Sequence, residues 1–301
     1  MPTDLPGIYS RAELATFLQT RQLSALKGLG QHFLTSESAV ASIVRAVGQP
    51  SSVLEVGPGP GILTRPLTHV CDAVHAIELD ERMIAAIRET LPSVTLHPGD
   101  ALQLDFHPIL AAMPPPRALV SNLPYYITGP LLNLFAQHRH AFDTIVLMMQ
   151  REVADRIRAD HRHPDRGSLS VWLQAQFQIA LVAQVPAGAF LPPPKVDSTV
   201  LKFVPRAVPD ALIAELDFAL RIGFAQRRKT LANNLVAGLR CDRAQALAWL
   251  ADQQLLPTVR PQELTVDAWQ RLASTISAWK RASNPGESAP SPSRSDSPPL
   301  A

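Results

Sequence analysis

The chain has 301 residues, 46% of them hydrophobic, a formal net charge of +2 and only two cysteines, Cys71 and Cys241. That length suits one large domain plus a small one with a well-buried core, and two distant cysteines exclude a disulfide framework or a cysteine-based zinc site. No apolar run approaches the ~20 residues that span a bilayer, Met1 to Ser10 lack a secretory pattern, and the mild charge permits nucleic-acid binding without arguing for it, so a cytoplasmic protein is expected.

In chain order, residues 1–26 form a leader with one amphipathic helix over about Arg11 to Leu26, broken by Gly28 and Gly30. A second helix fits Ser36 to Val47, with Thr35 or Ser36 as N-cap and Gly48 beyond its end. Then the pattern changes. Short apolar strands over Val53–Val56, Ala73–Glu78, Val94–His97, Ala118–Ser121 and Thr144–Met149 alternate with helices over about Leu63–Thr68, Arg82–Leu91 and Leu131–Gln137. Such alternation predicts a doubly wound parallel sheet, an α/β Rossmann-like fold.

After Arg151 the order differs. Ser168 to Phe177 is helical, and Ile179–Val185 and Thr199–Val204 form an antiparallel pair at the sheet edge, joined through the Pro-rich segment Phe190 to Ser198. From Pro209 to about Arg281 the pattern is helical throughout. The expected domains are therefore a catalytic domain over 27–206 and a small all-helical domain over 207–281. Residues 282–301, rich in Ser and Pro, are expected to be disordered.

Glu55-Val56-Gly57-Pro58-Gly59-Pro60-Gly61 follows a strand and opens a helix. Glycines there let the backbone turn tightly beside a ligand at a helix N-terminus. With Ile62 in the last glycine position it is not the dinucleotide fingerprint, and no Gly-Lys-Ser/Thr follows to make a P-loop. An acidic residue before the first glycine suits a zwitterionic ligand such as S-adenosylmethionine better than a pyrophosphate. Glu78 and Asp100 stand at successive strand ends, where a carboxylate can accept ribose hydroxyls or an adenine amine. Each acid alone is more often a solvated strand-end residue; together they favour a nucleoside cofactor.

Asn122-Leu123-Pro124-Tyr125 ends the fourth strand. Its Asn carbonyl, a backbone carbonyl of Leu123 or Pro124, and the Tyr125 face together fit an exocyclic amine on a flat ring. The tetrapeptide also makes ordinary turns. Phe190 offers either a second aromatic over that ring or a core side chain. Two basic regions, Arg151 with Arg156, Arg158, Arg162 and Arg166, and Arg227-Arg228-Lys229, could hold RNA phosphates or form solvated helix faces. The histidines have no metal-ligand spacing, so no metal is expected.

With these residues in place, the chain resembles the ribosomal RNA adenine N6,N6-dimethyltransferase family, in particular its bacterial small-subunit (16S) branch. The resemblance spans roughly Leu26 to Arg281. It rests on Gly30 to Leu34, the glycine loop, Glu78-Leu79-Asp80, Gly99-Asp100-Ala101, Asn122 to Tyr126, Gln150 to Ala154, Phe190 to Ser198 and Phe224 to Leu231. It implies a class I methyltransferase fold and S-adenosyl-L-methionine as cofactor. His32, Leu34 and Gly57 would lie at the methionine end, with Glu55, Gly59 and Gly61 around it. Glu78 would hold the ribose, Asp100 the adenine and Asn122 the reacting end. His32 stands where family members often have Asn.

The resemblance further implies dimethylation of two adjacent adenosines in a hairpin near the 3′ end of small-subunit rRNA. Asn122, Pro124, Tyr125 and Phe190 would hold the base, and Arg151, Arg227, Arg228 and Lys229 the RNA. The partner would be the small ribosomal subunit, and the protein a monomer. Three rivals are a large-subunit rRNA methyltransferase of the macrolide-resistance type, a non-catalytic RNA-binding factor and a DNA adenine methyltransferase. Lys195 to Ser198 and Gln226 to Lys229 favour the small-subunit branch over the first. The intact cofactor loop and tetrapeptide disfavour the second, and the small helical C-terminal part disfavours the third.

Overall fold

The computed structural model describes residues 10–283. The elements in order are α1 (Arg11–Thr20), β1 (Phe33–Leu34), α2 (Glu37–Val47), β2 (Ser52–Val56), α3 (Thr64–Leu67), β3 (Ala73–Glu78) and α4 (Glu81–Thr90). Then follow β4 (Thr95–Pro98), α5 (Phe106–Ala111), β5 (Arg117–Asn122), α6 (Thr128–Gln137), β6 (Thr144–Gln150), α7 (Arg151–Arg158) and α8 (Ser168–Gln176). The last are β7 (Phe177–Val185), β8 (Phe190–Leu191), β9 (Ser198–Pro205), α9 (Asp210–Gly223), α10 (Leu231–Leu239), α11 (Arg243–Asp252) and α12 (Val266–Ser283).

Seven strands form one sheet in the order β4-β3-β2-β5-β6-β9-β7. β4 through β6 run parallel, and β9 joins β6 antiparallel, Met148 opposite Val200. Central in the sheet, β2 is buried at every position, including its polar residues Ser52 and Glu55. The strand order reverses between β2 and β5, so a crevice opens beyond their carboxyl ends. Ser121 Oγ donates to the Val56 carbonyl at 2.7 Å and ties those two ends together.

Two expectations are corrected here. Helix α1 ends at Thr20 rather than Leu26, because Gln22 adopts φ +54 and reverses the chain. Nor is it an appended leader. Leu14 is fully buried, Leu18 nearly so, and both join the core with Phe33, Val40 and Phe190. Arg11 donates to the carbonyls of Gly188 and Phe190 at 3.0 and 2.9 Å. A two-stranded ribbon absent from the sequence reading, β1 against β8, pairs Leu34 with Phe190.

The described chain divides into two compact units, one of residues 10–154 and 179–205, the other of 155–178 and 206–283. Residues 155–178, expected in the catalytic domain, thus belong with the helical unit, where α8 packs on α9 and α12. Six of the nine residues of α8, among them Trp172 and Leu173, are apolar or small and buried, so the helix cannot lie on a surface. The expected disorder beyond residue 283 falls outside the described residues. Among those described, no helix is long and apolar enough to cross a membrane.

Candidate active site

A cleft of about 190 Å³, open to solvent, lies beyond the ends of β2, β3 and β5. Its floor is the glycine loop. Gly57, Gly59 and Gly61 take φ +73, +54 and +85, conformations that L side chains rarely adopt. At Gly59 a Cβ would also stand 3.1 Å from the Phe33 ring of β1, so that ring would have to give for any larger residue there.

Two buried carboxyls face the cleft. Glu55 is 2% exposed, its Oε2 has no hydrogen-bond partner, and burial pushes its carboxyl up to about 8. An unpartnered buried carboxyl beside a pocket is matched by a cation. Glu78 is raised by burial as well, though three backbone N–H groups oppose the shift. Its Oε1 accepts from Leu79 N and Asp80 N at 2.8 and 2.9 Å, its Oε2 from Gly59 N at 3.0 Å. Of roughly four lone-pair positions one remains, on Oε2, so Glu78 has room for one further hydroxyl rather than two. Asp100 lines the same cleft, its Oδ1 accepting from Leu102 N at 2.9 Å.

At the far side, Asn122 Nδ2 donates to the His32 carbonyl at 3.0 Å. Because that partner can only accept, the amide orientation is fixed and Oδ1 is left for a ligand. The Pro124 carbonyl accepts from Ile127 N at 3.2 Å and shares the single Thr128 hydroxyl proton, at 3.2 Å, with the Tyr125 carbonyl at 3.3 Å. Of the two backbone carbonyls open in the sequence, that of Pro124 is engaged in its own turn, which favours that of Leu123 for a substrate. Tyr125 is held by its hydroxyl, 2.7 Å from Ser198 Oγ, and burial pushes that hydroxyl's pKa up. One face of its ring stacks on His32, centroids 5.5 Å apart. The His32 ring is engaged there, with Nδ1 donating to the Pro192 carbonyl at 2.8 Å, while its backbone serves Asn122. Leu34 lines the cleft and is 2% exposed.

The structure does not bring every expected residue to the site. Phe190 is fully buried in the core, outside the cleft lining, because its backbone pairs with Leu34 and its carbonyl takes Arg11. Arg166 is 1% exposed and donates to the carbonyls of Leu264 and Gln262, a strut inside the helical unit rather than a surface cation. Arg227 is exposed, but its Nη2 donates to the carbonyls of Pro164 and Arg166. Arg228 and Lys229 beside it are exposed. In the other unit, Arg151 pairs with Asp197 at 3.0 Å. The segment Gly30 to Leu34, singled out in the sequence, lines the cleft and is tied down by a contact the sequence did not show. Gln31 donates to Asp80, which is clamped by Arg82 at 2.9 and 2.6 Å and held below the usual carboxylate range. Gln31 also accepts from Leu26 N. Asp80 also caps the N-terminus of α4. Among the described residues no group of His, Cys, Asp or Glu is arranged to hold a metal ion.

A cleft at the switch point of this sheet, lined by the oriented Asn122 carbonyl and by the buried Glu55 carboxyl, is that of an α/β methyltransferase. The model of the ribosomal RNA adenine dimethylase family matches residues 23–276. The chain belongs to that family. The ribosomal RNA small subunit methyltransferase A of Chromobacterium violaceum is 39% identical over 263 residues, covering 83% of this chain and 95% of the relative. That of Geobacter metallireducens is 37% identical over 266 residues, 85% and 97%. Among solved structures, a dimethyladenosine transferase from Plasmodium falciparum matches with TM-score 0.68 and 25% identity over 82% of this chain and 98% of its own. The 23S rRNA methyltransferase ErmE matches with TM-score 0.63 and 25% identity, over 81% and 99%.

Proposed function

We propose that this chain is an S-adenosylmethionine-dependent enzyme that dimethylates N6 of two adjacent adenosines in the 3′-terminal hairpin of small-subunit (16S) rRNA, working in the cytoplasm as a monomer. The observation that carries the reading is the Asn122 amide, whose orientation is set by the His32 carbonyl. Bound on the glycine loop, S-adenosylmethionine supplies an electrophilic methyl for in-line transfer to nitrogen. Glu55 would face its cationic end, Glu78 would take one ribose hydroxyl on Oε2, and Asp100 the adenine amine.

The amine of adenine is a poor nucleophile because its lone pair is delocalised into the ring. Asn122 Oδ1 and the Leu123 carbonyl accept its two N–H groups and turn the lone pair toward the methyl. Tyr125 grips the ring with the face away from His32. The alkylated nitrogen then sheds a proton to water, so no strong general base is required, and catalysis is mostly positioning. After one transfer a single N–H remains, and the site must hold the amine through one acceptor while the other yields to the methyl. Exposed Arg228 and Lys229, and Arg227 and Arg151 with their remaining donors, would contact RNA phosphates.

Replacement of Asn122 tests this. Asn122→Ala is expected to keep S-adenosylmethionine affinity within a few-fold by calorimetry while turnover falls by about 100-fold, the scale of removing one oriented polar group from a reacting centre. Normal turnover in that variant would remove the amine-steering role.

A further inference from the structure

Tyr126 is 57% exposed although it lines the cleft. It follows Tyr125 in the single 3-10 turn Tyr125–Ile127, where successive side chains are rotated by about 120°. Tyr125 therefore turns inward to Ser198 and Tyr126 turns outward at the mouth. The Tyr126 ring rests on Gly30, where a Cβ would come within 3.2 Å of it and where φ is +59. Its hydroxyl makes no hydrogen bond among the described residues, so the ring presents itself to solvent without a polar reason to stay there.

We propose that Tyr126 is a second base-binding step, a stacking platform for the nucleobase next to the target adenosine in the RNA strand. This rests on the functional reading above. A base drawn into the pocket leaves its stack. Its neighbour in the chain then has one bare face, and that neighbour must lie at the mouth, where Tyr126 supplies a replacement partner. Base–aromatic stacking is sequence-tolerant and depends on the flat face rather than the hydroxyl.

The test uses the full chain, labelled S-adenosylmethionine and immature small subunits that lack the dimethyl marks. Tyr126→Ala and Tyr126→Leu should each raise KM for subunits about tenfold, with S-adenosylmethionine affinity unchanged. Leu is included because it still covers Gly30 but has no flat face. Tyr126→Trp should stay within about twofold of wild type. A Leu variant equal to wild type would show that the ring only covers Gly30, and loss of cofactor affinity in step with KM would place its role on the cofactor. Either result overturns the platform. A wild-type chain inactive on the subunits overturns the functional reading instead, and is scored before the variants.

Discussion

Glu55 carries the most testable electrostatics of any single side chain. Its folded pKa lies near 8 against 4.5 for the free group, and burial is the main cause. A carboxyl raised in the folded state binds more protons there than in the unfolded chain, so its contribution to stability is full below about pH 4.5 and is lost as pH rises toward 8. Glu55→Gln mimics the neutral form. The variant should therefore match wild type near pH 5 and melt a few degrees higher near pH 8, by scanning calorimetry without cofactor. A cation beside Glu55 favours the charged form, so wild-type affinity for S-adenosylmethionine should rise over the same interval and that of the variant should not. At this scale the sequence was informative where glycine spacing and strand ends point at a cleft, as for Gly57, Glu78 and Asp100. Phe190 was ambiguous, since only the β1–β8 pairing decides between core and cleft.

The elements that close the site come from outside the regular α/β alternation. Helix α1 contributes Leu14 to the core that holds β1, and β1 carries the cleft-lining residues before it. Leu14→Ala should cost about 2–5 kcal/mol of stability by chemical denaturation. A removable leader would instead tolerate the change. In the glycine loop, Gly59→Ala forces a side chain into positive φ and against Phe33. It should weaken cofactor binding by about tenfold or more, given a strain of about 1–3 kcal/mol, while Gly188→Ala, with open space around it, should not. The long buried strands were legible because parallel strands covered on both faces are continuous apolar runs. Two-residue strands such as β1 and β8 have no period to read, and the six-residue α5 is too short to display a helical stripe.

At the scale of the whole molecule, the chain leaves its first unit at residue 154, builds part of the second, and returns for the last strands of the sheet. The sequence placed the C-terminal boundary near Pro209, while the charged run 155–166 at the other crossing was read as a basic surface rather than as a passage into the second unit. Arg166 is the residue that fastens this segment, through the carbonyls of Leu264 and Gln262. Arg166→Met should destabilise the helical unit by about 2–4 kcal/mol, because it leaves buried carbonyls unpaired; hydrogen exchange should localise the loss to 155–178 and its partners. The account as a whole stands or falls on the methyl acceptor. The decisive measurement is mass spectrometry of rRNA after the purified chain has acted on immature small subunits with S-adenosylmethionine. N6,N6-dimethyladenosine at two adjacent positions of the 3′-terminal hairpin is predicted; methylation confined to large-subunit RNA, or none on either, would contradict it.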